Sequence, residues 1–228
     1  MSWSEGDLAI VLLSLKVAVA ATLVSLPPAV GVALALARGR FPGRGLVNAL
    51  VHLPLVMPPV VTGYLLLVLL GRRGVVGAFV ERALGLTFAF RWTGAAVAAA
   101  VMGFPLMVRA IRLAIENVDP HLEDAASSLG ANRWWQLVTV TLPLALPGML
   151  SGMVLAFAKA LGEFGATVTF VSNIPGETRT LALAIYTYSQ TPGGDAHLWR
   201  LLWLSIAVSF AALLTSEALA RRIERSRR

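Results

Sequence analysis

The chain has 228 residues, of which 57% are hydrophobic and 14% charged, where an average soluble domain has roughly 45–50% and 25%. With a mean hydropathy of +0.75, this excludes a disordered chain, a coiled coil and nearly every soluble fold, and leaves an all-α integral membrane protein with a single domain over 1–228. The absence of cysteine excludes a disulfide framework, cysteine zinc sites and thiol chemistry, and His52, His121 and His197 are too scattered to suggest a metal site.

The net charge of +7 rests on arginine far more than lysine. It reads as charge on cytoplasmic loops. Nucleic-acid binding is the sharper alternative, but no basic stripe with interleaved aromatics is present. No nucleic-acid partner is expected; the expected surroundings are a lipid bilayer.

A membrane helix needs about 20 apolar residues. Residues 8–37 form the first such run, with Lys16 its one charge. Glu5 and Asp7 precede it and the run is too long for a signal peptide, so it reads as a retained helix, kinked or tilted at Pro27-Pro28. Residues 46–70 are a second span, interrupted at Pro58-Pro59. Residues 74–90 are apolar but carry Glu81 and Arg82 at their centre, which is costly at mid-depth, so they read as an interfacial or re-entrant piece. Residues 93–115 are a third span, 144–172 a fourth and 198–219 a fifth.

Five passes with the amino terminus outside place eleven arginines on the inner side, at 38, 40, 44, 109, 112, 133 and in the run from 221 to 228. Six remain outside, at 72, 73, 82, 91, 179 and 200. That is the expected bias, and it puts the carboxyl terminus in the cytoplasm.

The inner loop 119–143 is built like a helical hairpin. Asp119 suits an N-cap and Pro120 the first helical position. Glu123 and Asp124 lie where the helix dipole favours acids. Ala125 and Ala126 leave room for a close neighbour, and Gly130 is placed for a left-handed stop. Asn132 caps a second short helix bearing Trp134 and Trp135. Such a knob transmits force if a soluble partner grips it in a groove; otherwise it is a solvated connector.

Broken spans need their freed carbonyls met by neighbours or by a water-filled cavity. Pro58, Pro59, Gly63, Pro105, Gly148, Gly152, Gly162 and Gly165 therefore suggest a packed bundle around a pathway; ordinary packing through small residues is the alternative. In the second span Pro58, Pro59, Thr62 and Gly63 read either as a gate or as a static kink. Lys159 and Glu163, four apart and within the fourth span, share a helix face. Charges there usually face the bundle interior. They read either as part of the pathway or as an ion pair that locks packing. Glu163 repels an anion, so its expected part is to order Lys159 and the Gly162–Gly165 backbone.

The loop resembles the EAA loop of binding-protein-dependent ABC importer permeases. Asp124-Ala125-Ala126, Gly130 and Val140-Thr141-Leu142-Pro143 fall at the family spacing, with Asp for Glu and Val for Ile as departures. The resemblance extends over nearly the whole chain to the molybdate permeases, through residues 52–74, 102–116, 161–180 and 190–194. Sulfate permeases are the nearest alternative.

The resemblance implies the type I importer permease fold, and makes the loop a coupling helix docked on an ATPase. It implies a homodimer with two ATP-binding cassette subunits and an extracytoplasmic molybdate-binding protein, in a bacterial or archaeal cytoplasmic membrane. Tungstate is the implied co-substrate. ATP and magnesium belong to the partner ATPase, and no cofactor is expected on this chain.

In the segment after the fourth span, Asn173, Pro175 and Gly176 read as a turn. Thr178, Arg179 and Thr180 then either contact the delivering protein or the anion at the outer mouth, or close a tight turn with a Glu177–Arg179 surface pair. No GxxxxGK[ST], GxSxG or HExxH motif is present, so this chain is read as a permease and not an enzyme. An intramembrane enzyme using Glu163 with His52, and a scaffold without transport, are the readings from other classes.

Overall fold

The structure is a computed structural model that describes residues 5–225, with side chains described over 6–215. The first helix, α1 (Glu5–Arg38), runs unbroken through Pro27 and Pro28. Its 34 residues make ~51 Å of helix against a hydrocarbon core of ~30 Å, so its ends project into the headgroup layers. It is an integral part of the bundle, because Ala18, Ala21, Ala29, Ala33 and Leu36 are all buried along it.

The expected second span is two helices. α2 (Arg44–Val56) and α3 (Pro59–Leu70) meet at 113°. A residue before proline is pushed out of the helical region. Met57 precedes Pro58 and is extended at ψ 145°, and Pro58 precedes Pro59 with ψ 131°. Consecutive prolines thus turn the chain instead of merely interrupting a span. Next comes α4 (Val75–Leu84), whose 10 residues give ~15 Å, half of what a crossing needs. Gly85 closes it at φ +66°.

At the centre lies α5 (Trp92–Glu116), packed against α1 and α8. The knob follows as α6 (Pro120–Ser128), α7 (Arg133–Gln136) and a π-helical turn at Leu137–Thr141. That turn feeds α8 (Leu142–Leu161) directly. The α5–α8 contact is made by small residues: Gly103 lies against Ala156, Gly152 against Met107 and Ala110, and Gly148 against Ala114. Lipid supplies no hydrophobic drive between helices, so backbones that approach this closely hold by dispersion.

The expected fourth span also breaks. α8 ends at Leu161 and α9 (Gly165–Val171) starts after three residues that are not helical. Glu163 therefore lies beyond the helix that carries Lys159, not on it. α10 (Leu181–Ser189) and α11 (Asp195–Arg225) are the last elements of the described residues. The arginines of 221–228 lie outside the residues whose side chains are described. Among the described residues, α1, α5, Arg133–Leu161 and Asp195–Thr215 are each long and apolar enough to cross a membrane, and the bent α2–α3 pair supplies a fifth pass if taken as one.

The two ends of the bundle are tied differently. At one, Arg112 donates to Asn48 (3.1 Å) and Glu116 (2.8 Å), joining α5 to α2. At the other, the buried Asp7 lies 3.7 Å from Arg200 and 3.8 Å from His197. There the Ser14 hydroxyl accepts from Leu181 N–H at 2.7 Å, which ties α1 to α10.

Candidate coupling knob and translocation seam

The knob is built from local capping. Asp119 accepts the His121 N–H at 2.9 Å and Asn132 accepts the Trp135 N–H at 2.8 Å, so both short helices start on a side-chain cap. Gly130 stands at φ +90°. Its N–H meets the Ser127 carbonyl and the Ala131 N–H meets the Ala126 carbonyl, the paired bonds of a Schellman stop. Only glycine takes that φ without strain.

One face of α6 turns inward. Glu123 and Ala126 are half-buried, whereas Asp124 and Ala125 are exposed, as are Leu122 and, at 90%, Leu129. Glu123 Oε1 accepts from Arg38 at 2.9 Å and from the Thr141 hydroxyl at 2.7 Å. Arg38 also reaches the carbonyls of Ile115 (3.2 Å), in the last turn of α5, and of Val118 (3.5 Å), just beyond it. A single carboxylate therefore links the knob to α1, to the end of α5 and to the turn that starts α8. Val140, Leu142 and Pro143 lie on that same π turn and first turn of α8.

Sequence reasoning placed Glu123 in the coupling loop and Thr141 in its closing motif without linking the two, and gave Arg38 and Leu129 no part in the knob. Arg38 was legible only as an inner-side charge. Nothing local pairs it with a residue 85 positions away.

The breaks in the second and fourth passes pack on each other. A Cβ on Gly165 would approach Pro59 Cβ to 2.8 Å, and one on Gly63 would lie 2.5 Å from the Ala166 carbonyl oxygen. Gly162, by contrast, has room for a side chain. Thr62 is buried in the seam, and its hydroxyl has no hydrogen-bond partner among the described residues. At the fourth-pass break Glu163 is 2% exposed. Its Oε2 accepts from Lys159 Nζ at 2.7 Å and its Oε1 from the Ala166 N–H at 3.0 Å. The carboxylate thus pairs the charge at the end of α8 and meets a first-turn N–H of α9.

The 173–180 segment is internally bonded. Asn173 donates to Thr187 at 2.6 Å and accepts from Arg179 at 3.0 Å. Arg179 is held by Asn173, not by Glu177. The Thr178 hydroxyl, fully buried, accepts from Ile174 N–H and donates to the Ser172 carbonyl. Thr180 is buried as well, which leaves Ile174, Pro175 and Gly176 exposed at the tip. Among the described residues no group of acidic, histidine or cysteine side chains could hold a metal.

Residues 29–228 match the family described as binding-protein-dependent transport system inner membrane component. The chain belongs to that family. The molybdenum transport system permease protein ModB of Escherichia coli (strain K12) is 61% identical over 211 residues, covering 92% of each chain. The sulfate transport system permease protein CysT of the same organism is 34% identical over 191 residues, covering 82% of this chain and 69% of that one.

A bacterial alginate ABC transporter, solved in complex with an alginate pentasaccharide-bound periplasmic protein, superposes with a TM-score of 0.76 at 19% identity, over 96% of this chain and 80% of its own. That likeness establishes the importer permease fold. As a family member the chain is a multi-pass inner membrane permease subunit and not an enzyme. The family works with a separate ATPase and a solute-binding protein.

Proposed function

We propose that this permease carries molybdate, and tungstate with it, across the cytoplasmic membrane as the channel-forming subunit of an ATP-driven importer. One observation carries the substrate: identity to the molybdenum permease is 61% over 92% of the chain, and to the sulfate permease 34% over 82%. A sulfate importer is the reading this disfavours.

The assembly we propose is a homodimer with two ATP-binding cassette subunits and an extracytoplasmic oxyanion-binding protein. ATP and magnesium are held on the cassette subunits. The amino terminus faces outside and the knob and carboxyl terminus the cytoplasm. In this scheme α6 seats in a groove of the ATPase through Asp124, Ala125 and the exposed leucines. Closure of the ATPase dimer draws both knobs together. The link from Glu123 to Arg38 and Thr141 passes that displacement to α1, α5 and α8 at once. Val140, Leu142 and Pro143 supply the stiff joint.

The seam of Pro58, Pro59, Thr62, Gly63, Gly165 and the Lys159–Glu163 pair is the proposed gate. It is the place where two passes are broken side by side and the buried Glu163 carboxylate pairs the half-buried Lys159. Gly162 serves it as the helix end. The exposed tip at Pro175 and Gly176, stiffened by Asn173, Thr178, Arg179 and Thr180, meets the receptor.

The test is reconstitution with the cognate ATPase and receptor, followed by ATP hydrolysis against molybdate, tungstate and sulfate. Stimulation by the molybdate- or tungstate-loaded receptor with sulfate inert is expected. Stimulation by sulfate alone moves the substrate, and no complex at all overturns the reading.

A further inference from the structure

A cavity of about 740 Å³ opens beside the knob, lined by Arg38, Arg40, Glu123, Arg133, Gln136 and Thr141 among others. It holds three arginines against one carboxylate. Arg38 is committed to Glu123. Arg40 and Arg133 are exposed, and among the described residues neither is ion-paired. Planar guanidinium groups around one cavity suit a phosphate, which they hold by paired N–H donors.

The depth of the cavity selects the source of that phosphate. Arg133 opens a helical run to Leu161 of 29 residues, ~43 Å long where the hydrocarbon needs ~30 Å. Its first turns therefore stand in the headgroup layer. Trp134 and Trp135 follow at 71% and 60% exposure, and tryptophan concentrates at that level of a bilayer. The cavity wall also includes Leu34 and Leu137, which gives an acyl chain apolar surface below the charges.

We propose that this cavity binds the phosphodiester headgroup of an anionic phospholipid from the inner leaflet, held by Arg40 and Arg133. The lipid then braces α7 against the end of α1, beside the bonds from Arg38 and Thr141 to Glu123 that anchor the knob. Coupling becomes dependent on anionic lipid. The membrane side rests on the orientation in the proposed function; the lipid site itself does not need transport.

The test is lipid retention by the full chain in detergent, read by native mass spectrometry after exposure to mixed phosphatidylglycerol and phosphatidylcholine. Wild type is expected to retain phosphatidylglycerol preferentially. Arg40→Gln with Arg133→Gln should lose that preference, by about fivefold for each charge removed, and the Arg→Lys pair, which keeps the charges and loses the paired donors, should fall between wild type and the Gln pair. Equal retention by wild type and the Gln pair overturns the site. So does a loss in the Lys pair as large as in the Gln pair, or displacement of the lipid by millimolar free phosphate or molybdate, which marks a soluble-anion site.

In nanodiscs with the ATPase, receptor-stimulated hydrolysis should rise when phosphatidylglycerol is added to phosphatidylcholine, and should rise less for the Gln pair. An equal rise in both overturns the coupling role. Failure of the complex to form overturns the proposed function and leaves the retention result standing.

Discussion

Glu163 shows how one side chain can serve two elements. It meets a charge at the end of α8 and an N–H in the first turn of α9. Gln keeps an acceptor for Ala166 and loses the charge that pairs Lys159; Ala loses both. Because a buried donor left unmet costs about 1–3 kcal/mol, Glu163→Ala should lower thermal stability in detergent more than Glu163→Gln. Equal losses would mean that the bond to Ala166 contributes nothing. Both variants should reduce uptake, and normal assembly, ATPase coupling and uptake in Glu163→Gln would remove Glu163 from the gate. The pairing was readable from the spacing of Lys159 and Glu163. That Glu163 stands outside the helix was not, because apolar residues flank it on both sides and hydropathy does not register a three-residue break.

At the scale of elements, the knob was the most legible part of the chain. Its caps, its proline and its glycine stop are all local signals, and local bonds satisfy them. Its tie to the bundle was illegible, because Arg38 lies 85 positions from Glu123 and no local pattern pairs Thr141 with Glu123. Two variants separate these layers. Gly130→Val forces a β-branched residue into φ +90°, at a cost of roughly 1–2 kcal/mol, and should abolish co-purification with the ATPase while leaving membrane insertion intact. Normal association would sink the docking role of this loop. Glu123→Ala should leave the ATPase bound, since α6 keeps its caps, but it frees Arg38 and Thr141. The expected result is ATP hydrolysis that no longer responds to loaded receptor. A wild-type response would mean that force reaches the spans by another route.

For the whole molecule, the order of passes follows from where helices are long enough to cross. α4 is too short, and with α2 and α3 taken together as one bent pass, as we propose, five crossings put the two chain ends on opposite faces. Charge bias in the sequence points the same way. The bends were not legible in full: Pro58-Pro59 signals an interruption, but its 113° angle depends on α3 finding α9 through Gly63 and Gly165. The chain has no cysteine, so single cysteines report their side of the membrane without background. Leu86, Ile174 and Ser127 are exposed and suit this use. An impermeant thiol reagent applied to intact spheroplasts should label Leu86→Cys and Ile174→Cys and reach Ser127→Cys only after lysis. Labelling of Ser127→Cys from outside, with the other two protected, reverses the orientation and removes the ATPase from reach of the knob. Protection of Leu86→Cys alone means that α4 lies buried against an unseen partner surface. Leu86→Cys and Ser127→Cys labelled from the same side break the count of passes between them, because α5 alone separates these positions and its 25 residues exceed the ~20 that a crossing requires.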